Sequence, residues 1–217
     1  AKANPLKGII LDLRNDPGGL LNQSIEVSDI FLKTGTIVST RGRIKAMETS
    51  ATAKNDGTEP TCPMVVLVNE GSASASEIVA GALQDNNRAL ILGTQTFGKG
   101  SVQTLIPLED GAALKLTTAK YYTPSGRSIQ AEGIAPDITL KYAKAAEETE
   151  EDGDAMREKD LKGHIKSAKE NGQKPEEIIT PATKKEAEDA AFAQDNQIKA
   201  AADMLRSWHI FMKGKKN

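Results

Sequence analysis

The sequence predicts an α/β core on a largely parallel central sheet flanked by helices, followed by a helical C-terminal extension. Two features of the 217 residues support this: short apolar runs interleaved with helical stretches, and a change of composition near residue 141. Before that point, runs such as GIILDL, TIVST, PMVVLVNE, ALILG, VQTLIPL and ALKLTTAKYY are separated by Gly, Pro, Asn and Asp clusters. Residues 8–13 and 63–68 are apolar without alternation, the pattern of strands covered on both faces. With 38% apolar and 27% charged residues the chain can bury a core, and a net charge of −2 disfavours a nucleic-acid partner. No apolar run approaches the roughly 20 residues needed to span a bilayer.

In chain order, the first strand begins almost at the first residue, so the chain reads as part of a longer protein. NDPGG turns it into a helix from about Leu20 to Phe31. PMVVLVNE is a second buried strand, and Ile78, Val79, Ala82 and Leu83 give helical spacing after it. Beyond residue 141 come an acidic stretch from Glu147 to Asp154 and helix-forming segments near 155–170 and 184–213. In the last of these, Ile198, Ala201, Ala202, Leu205, Trp208 and Phe211 form one apolar stripe, which must pack on the core or on another copy. Residues 1–141 are read as the core and 142–217 as the extension with its acidic linker. The single Cys62 excludes an internal disulfide.

The chemistry concentrates between the second buried strand and its helix, in Asn69-Glu70-Gly71-Ser72-Ala73-Ser74-Ala75-Ser76-Glu77. A serine on such a turn is exposed beside the outward N–H groups of a helix start, which suits acyl transfer. Ser74-x-x-Glu77 is equally a capping box that simply begins a helix. A serine nucleophile needs a base, and the only histidines, His164 and His209, lie in the extension. Lys99 in Phe97-Gly98-Lys99-Gly100 offers the alternative, because a desolvated lysine loses its preference for the charged form. Gly93-x-x-x-x-Gly98-Lys99 also begins like a phosphate loop. Gly100 stands where the magnesium-binding hydroxyl belongs, however, and a strand follows rather than a helix.

Four strings in order, KGIILDLRNDPGG, VVLVNEGSASASEI, GTQTFGKGSVQ and YYTPSGRSIQAEGIAPD, resemble the carboxyl-terminal processing peptidases, or tail-specific proteases, over residues 6–140. The resemblance implies a ClpP/crotonase-like peptidase core with Ser74 as nucleophile, Lys99 as base and Gln103 positioning the lysine. It implies an oxyanion hole from the backbone N–H of Ala75 and of Gly18 or Gly19. Strand alternation is expected to put Lys99 and Gln103 on one face. The activity implied is a serine endopeptidase of protein or peptide substrates, acting through an acyl-enzyme with no metal or organic cofactor. A silent peptide-binding or assembly domain of the same fold is the alternative. Acyl-CoA chemistry would need a CoA pocket that the sequence does not display. Members normally carry an upstream PDZ domain, absent from this sequence, and are exported to the bacterial periplasm or envelope. Some oligomerise through C-terminal helices like those expected here.

Overall fold

The structure, a computed structural model, describes residues 6–143 and 194–214. The acidic stretch, the segment near 155–170 and residues 184–193 of the last expected helix lie outside them. The chain divides into two compact units, residues 1–142 with 197–217 and residues 143–196. The first unit holds both sheets.

The elements are β1 (Ile9–Asp12), α1 (Leu21–Phe31), β2 (Thr36–Gly42), β3 (Thr49–Thr52), β4 (Met64–Val68), α2 (Ala75–Asp85), β5 (Leu90–Gly93), β6 (Ser101–Pro107), β7 (Ala113–Tyr122), β8 (Ile138–Thr139) and α3 (Asn196–Gly214). One sheet is wholly parallel, in the order β1-β4-β5-β8. The remaining strands form a second, antiparallel sheet in the order β3-β2-β7-β6, so the expected α/β class holds with half of the strands outside the parallel layer.

The unalternating run of β4 has the predicted explanation, since all five of its residues are buried. Val66 and Val68 join Ile78, Val79 and Leu83 of α2 and Ile37 and Val38 of β2 in the main core. Val65 and Leu67 point the other way, toward Leu92, Ala201, Ile198 and Leu205, so α3 covers the second face. Apolar burial at about 25 cal/mol per Å² makes this double coverage the main force fixing β4, and hence the turn that leaves it. The stripe of α3 is only half used. Ala201 is fully buried, whereas Trp208 and Phe211 are exposed.

Candidate active site

The turn after β4 is held at each residue before Ser74. The Ser72 hydroxyl donates to the Leu13 carbonyl at 2.7 Å and accepts from the Asn69 N–H at 3.0 Å. The Ala73 N–H donates to the Asp16 carbonyl at 2.9 Å, and the Phe97 N–H to the Ser72 carbonyl at 3.0 Å. So constrained, Ser74 adopts φ 58° and ψ −113° at the N-cap of α2. A side chain rarely takes a positive φ, and such strain costs about 1–3 kcal/mol, retained where surrounding bonds over-determine it. Of the three serines in the string, Ser72 and Ser76 are buried and Ser74 is partly accessible.

Glu77 is fully buried one turn into α2 and meets four donors. Its Oε1 accepts from Thr96 Oγ1 at 2.6 Å and the Gly98 N–H at 2.7 Å. Its Oε2 accepts from the Ser74 N–H and the Lys99 N–H, both at 2.8 Å. An ionised carboxyl is purely an acceptor with room for four such bonds, so one side chain joins the backbone of Ser74 to that of Gly98-Lys99. The cap function read from Ser74-x-x-Glu77 is present, and it is only one quarter of what Glu77 does. Nothing in the sequence pattern distinguishes the two uses. The signal available is a carboxylate on a helix otherwise rich in Ala, Ile, Val, Gly and Leu, which must find buried donors somewhere.

The loop bearing Lys99 is squeezed from the opposite side by the segment after β7. The Ala131 N–H donates to the Gly98 carbonyl at 2.9 Å, and the Gly100 N–H to Gln130 Oε1 at 3.1 Å. A Cβ on Gly100 would collide with the backbone nitrogen of Gln130, so glycine is required there by contact rather than by flexibility. The TPSGRSIQ segment thus buttresses the lysine loop, itself anchored by Arg127 to Asp85 at 2.5 Å and by the Ser125 N–H to Asp85 at 2.9 Å.

The side chain of Lys99, by contrast, is exposed, and among the described residues no hydrogen bond joins its amine to the Ser74 hydroxyl. The enclosure expected of a lysine base is not formed here, because the bonds that fix Gly98, Lys99 and Gly100 act on their backbone groups. Gln103 is also exposed, on β6. Lys99 precedes the strand and the β6–β7 register shifts between Val102 and Gln103, so strand alternation alone does not relate the two side chains.

The Pro-Gly-Gly loop reaches the nucleophile directly. Gly18 has φ 87°, and a Cβ there would lie 2.6 Å from the Ala75 nitrogen and 3.1 Å from Ser74 Cβ. Any other residue would fill the space over the Ala75 N–H at the helix start. The Gly18 N–H itself donates to Asp16 Oδ1 at 3.0 Å. Gly19 is exposed, a Cβ on it would meet nothing within 4 Å, and among the described residues no acceptor takes its N–H. Asp16 therefore serves the site twice, through its carbonyl and its carboxylate, a part invisible in an NDPGG turn signal.

Residues 1–140 match peptidase family S41. The chain belongs to this family. A carboxy-terminal-processing protease of Bartonella bacilliformis is 55% identical over 166 residues, covering 76% of this chain and 38% of the relative. A carboxyl-terminal-processing protease of Synechocystis sp. is 52% identical over 134 residues, covering 62% of this chain and 31% of that one. Among solved structures, a photosystem II D1 C-terminal processing protease superposes with a TM-score of 0.59 at 39% identity, over 63% of this chain and 35% of its own. The chain thus spans between 31% and 38% of the length of these relatives. Against that S41 background, the four sequence strings map onto one surface: the Ser74 turn, the Pro-Gly-Gly loop, the lysine loop and its buttress.

Proposed function

We propose that the chain is the catalytic core of a serine endopeptidase of the carboxyl-terminal processing kind, with a Ser-Lys mechanism. The observation that carries this reading is the accessible Ser74 at positive φ on a helix start, bound through Glu77 to the backbone of Lys99. Lys99 takes the proton of the Ser74 hydroxyl as its oxygen attacks the peptide carbonyl. The proton passes to the leaving amine, and water then resolves the acyl-enzyme. An amine acts as a base once its hydration is removed, and the exposed Lys99 loses that hydration when a substrate lies across the site. Gln103 orients the lysine in that covered state.

The oxyanion is held by the N–H groups of Ala75 and Gly19. Gly18, the other glycine expected from the sequence, supplies the clearance over Ala75 while its own N–H is held by Asp16. The Ala75 donor sits at the positive end of α2, which favours developing negative charge. Substrates are proteins or peptides and the chemistry uses no metal or organic cofactor. The wider reading assigns residues 1–141 to the core and 142–217 to an extension capable of homo-oligomerisation. It places the whole protein, with an upstream PDZ domain, in a bacterial periplasm or envelope. No helix among the described residues is long and apolar enough to cross a membrane.

The exposure of Lys99 favours one second reading, a silent peptide-binding or assembly domain. Hydrolysis of an unstructured peptide by the parent, Ser74→Ala and Lys99→Ala chains separates the two. The peptidase reading expects both variants to lose about 10³-fold or more, while equal turnover by Lys99→Ala would sink the lysine-base assignment.

A further inference from the structure

The antiparallel sheet has β3 and β6 as its two edge strands among the described residues. Among those residues no strand pairs with the free side of β6. Native proteins usually blunt such an edge with charge, proline, bulges, brevity or cover, and on β6 only Pro107 at its end and the register shift between Val102 and Gln103 do so. Here Ser101-Val-Gln-Thr-Leu-Ile-Pro107 carries no charged residue and runs for seven residues, with Gln103 to Pro107 all exposed. Both faces of the hairpin present apolar groups. Ile106 pairs with Leu114 and lies near Leu116 on one face, at 41%, 44% and 42% exposure, and Leu105 stands on the other at 66%. The strand starts two residues after Lys99, so its edge runs continuously out of the candidate active site.

We propose that the free edge of β6 is the substrate-binding rail: an extended polypeptide adds to it as a further strand and is led by it to Ser74. The inference rests on the peptidase reading of Ser74 and Lys99 and names the conformation that the substrate takes there. An uncharged edge selects for backbone, which every unfolded segment offers, and Leu105 and Ile106, on opposite faces, select for apolar side chains at two successive positions, one on each face. A peptide laid on the strand also covers the start of β6 next to Lys99, which is where hydration must be lost. At about 3.3 Å per residue, seven residues give a rail of roughly 23 Å, so contacts extend about six or seven residues from the scissile bond on one side.

The test reads binding rather than turnover. The Ser74→Ala chain is titrated into fluorescein-labelled peptides of about ten residues rich in Leu, Ile, Thr and Ser, and anisotropy gives Kd. One backbone amide at a time is N-methylated along the series. Strand addition predicts a penalty of about five- to tenfold at every second position and little between, because only alternate amides face the edge. Leu105→Asp should weaken binding of the unmethylated peptide at least about tenfold while leaving fluorophosphonate labelling of Ser74 in the otherwise unaltered chain unchanged. A flat methylation profile alongside normal labelling of Ser74 overturns the proposal, as does a β6–β6 dimer that Leu105→Asp dissociates without changing peptide affinity. A period of two with no labelling of Ser74 upholds the rail and removes the peptidase reading instead.

Discussion

Glu77→Gln removes one negative charge and changes one oxygen into an NH2 group, at nearly constant volume. The four donors on Glu77 are the Ser74, Gly98 and Lys99 N–H groups and the Thr96 hydroxyl. Whichever way the amide faces, its NH2 meets two of them. The better orientation puts it toward Thr96, whose hydroxyl can turn to accept, and leaves the Gly98 N–H buried and unpaired. One unpaired buried donor costs about 1–3 kcal/mol, and the three other bonds each lose about 1 kcal/mol of charge assistance. The sum is about 4–6 kcal/mol, or roughly 8–24 °C in Tm for a chain of this size. Circular dichroism melts of parent and variant measure it. At a temperature where both are folded, Ser74 labelling should also be slower in the variant, because its backbone is no longer tied to the lysine loop. A Tm within roughly 2 °C of the parent would refute the clamp.

Gly18→Ala forces a Cβ onto the Ala73 carbonyl oxygen at positive φ, so activity should fall by at least about 10²-fold with several °C lost in Tm. Gly19→Ala, with open space around it, should fold as the parent does by the same melts. Ser74→Gly relieves the strained φ and should melt about 1 kcal/mol more stably than Ser74→Ala, both being inactive. Burial raises the pKa of Asp85, but hydrogen bonds from Thr123 and Ser125 and the Arg127 charge outweigh it and leave the carboxyl below its usual range. A depressed folded-state pKa stabilises above the unfolded value, about 3.9, and that stability fades as pH falls through the folded one. The Asp85→Asn penalty, about 1 kcal/mol at pH 7, should therefore hold down to about pH 4 and shrink progressively in urea titrations carried out below it.

Much of the fold is legible in the sequence because burial imposes it locally. β4 reads as a doubly covered strand from five successive apolar residues, and α2 from the helical spacing of Ile78, Val79, Ala82 and Leu83. The division into two sheets is not legible, since β6 and β7 take their partners from register and turn geometry rather than from composition. At the site, Ser74, Lys99 and the glycines stand out by their motifs. Glu77 and Asp16 do not, because a cap glutamate and a turn aspartate look alike whether they merely start a helix or join loops distant in sequence. The exposure of Lys99 is likewise unreadable. Its flanking glycines record tight backbone packing against Glu77 and Gln130, and say nothing of where the side chain goes.

Whether Ser74 is a nucleophile activated by Lys99 is tested most directly by covalent labelling with a fluorophosphonate, mapped by mass spectrometry across pH. The Ser-Lys mechanism predicts labelling at Ser74 alone, rising with pH, and abolished in both Ser74→Ala and Lys99→Ala. Labelling at Ser74 that is undiminished in Lys99→Ala would contradict it.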